Sequence, residues 1–122
     1  MSSDLVCTVV NSRDPERLAA FWCRALEVEV TTRWSDDRGT AFIEISRDGR
    51  CILLFQSADE ATPDIAHLHL DLRPSGSTQS EEVRRLVGEG AVVVSDDTDL
   101  PWVVLADPDG NPFCVLPREP SG

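Results

Sequence analysis

The chain has 122 residues, 41 % of them apolar and 27 % charged, with a formal net charge of −11 at pH 7. That length fits one domain and buries roughly two-thirds of the unfolded surface, so folding requires neither disulfides nor a metal. The acidic balance excludes nucleic acid and an anionic membrane surface as partners, which need a basic face, and no apolar run reaches the ~18 residues of a membrane helix.

The same charge favours a cationic or neutral ligand through long-range attraction, although solubility alone would also account for it. The N-terminus lacks a basic stretch followed by an apolar one, so a cytoplasmic protein is expected. Four cysteines, Cys7, Cys23, Cys51 and Cys114, fall within predicted helices or strands and form no Cys-x-x-Cys pair. Free thiols in a reducing compartment are the expectation.

Residues 5–10 are short and β-branched, which predicts a strand. Asp14-Pro15-Glu16 opens a helix: Asp14 caps it, Pro15 suits the first helical position and Glu16 favours the positive end. Leu18, Phe21, Trp22, Ala25 and Leu26 then recur at spacings of three and four, giving one apolar stripe. Residues 28–34 and 40–46 alternate as strands, with Arg38-Gly39 near the turn between them. Asp48-Gly49-Arg50 turns the chain into a fourth strand, Cys51 to Phe55. Residues 57–65 have linker composition.

Then the plan restarts. Residues 66–72 form a strand, and Thr78 with Glu81 forms a capping box. Val83, Leu86 and Val87 mark a helix ending near Gly88 and Gly90. Strands follow at 91–95, 102–106 and 113–116. The last two are joined by Asp107-Pro108-Asp109-Gly110-Asn111, whose residues tolerate or favour the left-handed conformations of a turn. The order is β-α-β-β-β, a linker, and β-α-β-β-β again. Asp48-Gly49 and Asp109-Gly110 lie 61 residues apart, and Cys7 and His69 lie 62 apart. An internal duplication accounts for this spacing. The fold class is α+β, with module 1 at about 4–57 and module 2 at about 65–117 of a single domain.

The stretches 13–22, 69–73 and 102–116 carry a resemblance to the vicinal oxygen chelate superfamily, and most of all to small glyoxalase-like domain proteins. Glyoxalase I, extradiol dioxygenases, fosfomycin resistance enzymes and bleomycin-binding proteins share that fold. The resemblance implies two modules forming a cupped mixed sheet with helices outside, and often a homodimer. It also implies a divalent metal held by His, Gln or Glu on the first, fourth, fifth and eighth strands. Those positions fall here on Cys7, near Leu53 or Phe55 with Gln56 just beyond, on His69, and on Cys114. Only His69 is a usual ligand type, so no metal cofactor is expected.

Period two places His67, His69 and Asp71 on one face of their strand, with Leu68, Leu70 and Leu72 on the other. His69 reads as a general base or a ligand, with Asp71 or His67 steering its tautomer, or else as a His satisfied by its neighbours. Cys7, His69 and Cys114 would together suit zinc or iron if a metal were held; otherwise both cysteines are small apolar residues. Glu44, beside Phe42, reads as an acid, a base or a clamp for a cation, or as a solvated strand residue. Trp34 and Trp102, at strand ends, are candidates to floor a pocket, while Trp22 belongs to the core. Asp107, Asp109 and Asn111 are turn chemistry. Neither a phosphate-binding glycine loop nor a Gly-x-Ser-x-Gly elbow occurs.

These readings converge on a small-molecule binder holding an aromatic or cationic ligand without the usual metal. The rivals are a metal-dependent lyase or extradiol-type dioxygenase using His69 with Cys7 and Cys114, and a cofactor-free lyase or isomerase using His69 or Glu44.

Overall fold

Asp14 and Pro15 start helix α1 (Pro15–Leu26) where the sequence places it: Asp14 Oδ1 accepts the Arg17 N–H at 3.2 Å. The computed structural model describes residues 1–2, 4–58, 69–97 and 99–119. The chain divides into two compact units, Met1–Thr62 and Pro63–Gly122.

In the first unit, α1 packs against β1 (Thr8–Ser12), β2 (Glu29–Ser35), β3 (Ala41–Arg47) and β4 (Arg50–Ser57). The sheet runs β1-β4-β3-β2; β1 and β4 are parallel and the other pairs antiparallel. A covered sheet face needs apolar residues at every second position. Ile43, Ile45, Leu53 and Phe55 supply them and are at most 2 % exposed, as are Leu18 and Phe21 of the helix stripe. Each such side chain contributes about 1.5–3 kcal/mol by leaving water. The β3–β4 connection is a two-residue hairpin loop. Asp48 and Gly49 have φ of 53° and 79°, the paired positive values a right-handed hairpin twist demands.

Two expectations for this unit need correction. The first strand lies at Thr8–Ser12 rather than 5–10, because pairing with Leu53–Ser57 of β4 selects it over the equally β-branched residues before it. Cys7 and Cys51 are not free thiols but form a disulfide, with Cα atoms 5.5 Å apart. A β-bulge causes this. Ile45 pairs with Leu53, but Ser46 pairs with Cys51, so Ile52 is an extra residue. The added residue turns Cys51 to the face of Ser46, away from the helix, where alternation along β1 also puts Cys7. Cys23 and Cys114 are free.

The second unit repeats the plan with β5 (Leu70–Leu72), α2 (Gln79–Gly88), β6 (Val92–Ser95), β7 (Val103–Ala106) and β8 (Pro112–Val115). Its sheet order is β5-β8-β7-β6, again with one parallel pair, β5 with β8. Thr78 and Glu81 form the capping box. The backbone N–H of Thr78 and its hydroxyl hold the Glu81 carboxyl below its usual range. Leu86, Leu105, Phe113 and Val115 are at most 1 % exposed and form the core. Gln79 Nε2 donates to the carbonyls of Pro101 and Val115, both at 2.9 Å, tying the helix start to the sheet end. Residues 66–68 of the expected strand, including His67, lie outside the described residues. Among the described residues, no helix is long and apolar enough to cross a membrane.

The duplication holds in element order but not in turn chemistry. The β7–β8 loop is longer than its counterpart, with Ala106 paired to Pro112. Its centre is the 3 % exposed Asp107. Asp107 Oδ1 accepts the N–H groups of Asp109 and Asn111 at 3.0 and 2.9 Å, and the Asn111 side-chain amide lies within 3.1 Å of both its carboxylate oxygens. Asp107→Ala strands these donors and is expected to cost about 1–3 kcal/mol, with Asp107→Asn recovering part of it. Urea unfolding of both variants measures this, and equal loss in the two would refute the hydrogen-bond account.

Candidate functional site

The face of the first sheet that α1 leaves bare follows from its register. Phe42 pairs with Trp34 and Gln56, Glu44 with Thr32 and Leu54, and Leu54 with Val9. Since Ile43, Ile45, Leu53 and Phe55 face the helix, these residues face away from it. Trp34 and Phe42 stack with ring centroids 5.1 Å apart and planes 12° from parallel. Trp34 is 41 % exposed, so the stack is reachable from solvent. Glu44 Oε2 accepts the Ser46 hydroxyl at 3.0 Å, and Thr31 Oγ1 donates to the Glu44 carbonyl at 3.2 Å. A cavity of about 790 Å³ is lined by Asp4, Leu5, Val6, Glu44, Gly49, Arg50 and Cys51. One wall is therefore the segment leading into the disulfide, and Glu44 reaches it from the floor of the sheet.

The second unit brings together a different set. Parallel pairing puts Asp71 directly opposite Cys114. His69 lies one residue before β5, and its Nε2 is 3.3 Å from Asp71 Oδ1. One donor atom from each of His69, Asp71 and Cys114 lies within 4.8 Å of the other two. Burial raises the Cys114 thiol's pKa first, and the neighbouring Asp71 charge and a hydrogen bond to that carboxylate raise it further. Burial first, and Asp71 second, thus favour the thiol over the thiolate that an activated nucleophile would need.

The other sequence candidates are placed separately. Trp102 precedes β7 and is exposed. His67 lies outside the described residues. Leu53 and Phe55, near the implied fourth-strand ligand position, are sealed in the core, while Leu54 and Gln56 occupy the bare face. Ser46, Arg50 and Cys51 join them as site residues that residue type alone does not mark. A bulge brings Cys51 to this face, and bulges leave no signature in residue type.

A divalent ion of the kind the resemblance implies would not find its usual four-strand ligand set. Cys7 is bonded to Cys51 and offers no thiolate, and Leu53 and Phe55, at the implied fourth-strand position, are hydrocarbon sealed in the core. A three-donor set does fit, made of His69, Asp71 and Cys114. It supplies nitrogen, oxygen and sulfur on one face of two adjacent strands, which is the number of protein ligands a metal site with one open position uses.

The sequence pattern of a family described as Glyoxalase-like domain matches residues 7–116. No functionally curated protein matches the chain. Among solved structures, the chain is similar to the fosfomycin resistance protein FosX of Listeria monocytogenes, solved with Mn(II) and sulfate. The identity is 15 %, with 98 % of this chain and 95 % of that one covered and a TM-score of 0.74. It is also similar to the trypanothione-dependent glyoxalase I of Leishmania major, at 14 % identity, 95 % and 87 % coverage and a TM-score of 0.70. A glyoxalase/bleomycin resistance protein/dioxygenase family enzyme of Burkholderia phytofirmans aligns at 18 % identity, 93 % and 97 % coverage and a TM-score of 0.67. At these identities the likeness establishes the fold.

Proposed function

The chain belongs to the Glyoxalase-like domain family, and from that premise we propose that it binds a small aromatic or cationic molecule on the bare face of its first sheet. The observation that carries this is the Trp34–Phe42 stack with Glu44 beside it on the same face, the one turned away from α1. An aromatic face attracts a flat ring by stacking and a cation through its quadrupole. A carboxylate next to it adds selectivity for positive charge, and the net charge of −11 attracts such a ligand from a distance.

The test is thermal stabilisation by a panel of aromatic amines and their neutral isosteres, since a ligand at 100 times its Kd stabilises by about 2.7 kcal/mol. Trp34→Ala is expected to weaken binding of both classes by roughly tenfold, a loss of about 1.4 kcal/mol. Glu44→Gln is expected to weaken only the cations. Stabilisation that survives both substitutions would place the ligand elsewhere, and none with any compound would remove the reading.

A second reading is favoured by the His69–Asp71–Cys114 donor set: a metal-dependent lyase or dioxygenase, in which these residues hold a divalent ion. Such an ion, when bound, supplies Lewis-acid polarisation of a substrate oxygen. FosX of L. monocytogenes, solved with Mn(II), is consistent with a metal in this fold.

A further inference from the structure

We propose that His69, Asp71 and Cys114 form a thiophilic metal site selective for zinc-class ions over manganese and magnesium, built entirely from β5, its leading residue and β8. This deepens the metal-dependent reading and does not depend on the aromatic-ligand reading. Three observations support it.

The first is geometric. Zinc bonds of about 2.0–2.3 Å in a tetrahedron hold donors roughly 3.3–3.6 Å apart. His69 Nε2 and Asp71 Oδ1 are already 3.3 Å apart, and one donor from each of the three residues lies within 4.8 Å of the others. What separates the set from bonding distances is asked of side chains on two hydrogen-bonded strands, where Asp71 and Cys114 are register partners. That register is held beyond them by Leu116 N–H to the Leu72 carbonyl at 2.8 Å and by Arg73 Nη1 to the Pro117 carbonyl at 2.9 Å.

The second is donor chemistry. A thiolate is a soft ligand and imidazole an intermediate one, and together they favour zinc, cobalt or cadmium. Manganese and magnesium favour all-oxygen surroundings. The single carboxylate here is too little for them. Binding replaces the Cys114 S–H bond with a metal–sulfur bond and releases the proton to solvent. The thiolate and carboxylate then neutralise the ion's two charges.

The third is access. The His69 and Asp71 side chains are 57 % and 50 % exposed, so an ion can enter from solvent and keep a fourth position for water or a ligand. The same exposure and the hydrogen bond of Cys114 to Asp71 count against a catalytic thiol, which would need His69 as its base.

The experiment uses the full chain, purified without an affinity tag, and metal ions alone. Cobalt is the probe, because thiolate ligation gives it a near-ultraviolet charge-transfer band. One cobalt per chain, with that band, displaced by zinc and not by excess manganese or magnesium, is the expected result. Cys114→Ser should abolish the band and weaken cobalt binding by more than the ~10–100-fold typical of losing an outer-sphere partner. Asp71→Asn should weaken binding and leave the band. Circular dichroism checks that each variant is folded, and metal protection of Cys114 against alkylation in the unsubstituted chain reads the same contact without any variant. A band that persists in Cys114→Ser, or one lost in Cys23→Ser instead, overturns the proposal. Manganese binding that is indifferent to Cys114→Ser overturns the thiophilic site but leaves the metal-dependent reading standing. Absence of binding by any of these ions overturns both.

Discussion

Reducing the Cys7–Cys51 disulfide is expected to lower the stability of the first unit by about 2–4 kcal/mol. The bond joins residues 44 apart in sequence. In the chain-entropy account, releasing a loop of that length restores about 4 kcal/mol of conformational freedom to the unfolded chain. This is a large share of the ~5–15 kcal/mol that separates folded from unfolded states in a typical domain. Urea unfolding with and without reductant measures the change, and a Cys7→Ser/Cys51→Ser double variant should match the reduced protein. Thiol titration of unfolded protein supplies the parallel check: two reactive thiols, Cys23 and Cys114, before reduction and four after it. Equal unfolding midpoints in the oxidised and reduced states, with the thiol count changing as stated, would remove the stabilising role.

That disulfide also marks where sequence reading stops. Signals that act within a few residues were legible. Asp14 and Pro15 start α1, Thr78 and Glu81 start α2, and the Asp48-Gly49 hairpin needs only the positive φ values its residues accept. Each is a local bargain between a backbone group and a nearby side chain. The Cys7–Cys51 pair depends instead on the register between β1 and β4 and on one bulge residue, Ile52, that alternation cannot reveal. The same limit explains the first strand. Leu5 and Val6 are as β-prone as Thr8 to Val10, yet they are 89 % and 81 % exposed, because partners in β4 begin opposite Thr8. Val92 and Val94 of β6 are likewise exposed, at 63 % and 61 %. They sit on an edge strand, where β-propensity sets the conformation without ensuring burial.

The candidate site divides along the same line. Period two gave the shared face of His69 and Asp71 from sequence. The approach of Cys114 to them required knowing that β5 and β8 are parallel neighbours, with Asp71 opposite Cys114. Trp34 and Phe42 were separate candidates in the sequence. Antiparallel register makes them one stacked pair. The chemistry of each residue was readable alone, but its partners were set by pairing across strands.

Adjacent substitutions in β4 should therefore differ sharply in effect, and this gives the strictest test of which face is which. Phe55→Ala is expected to destabilise by about 3–5 kcal/mol. Phe55 is 0 % exposed on the helix face, between its register partners Val10 and Ile43, and truncation leaves a cavity the surrounding strands and helix can only partly fill. Leu54 points the other way, between Val9 and Glu44. It is only partly buried, so it has less than the ~1.5–3 kcal/mol of full burial to lose. Leu54→Ala should cost less stability than Phe55→Ala while changing the affinity for any molecule seated against Phe42 and Glu44. Phe55→Ala should lower the unfolding midpoint, with affinity at temperatures where the variant stays folded remaining near that of the unsubstituted chain. Denaturant unfolding and ligand titration on both variants separate the two effects. If Leu54→Ala were the more destabilising of the pair, the register of β4 would be wrong by one residue, and every side chain assigned to the bare face would belong to the core instead.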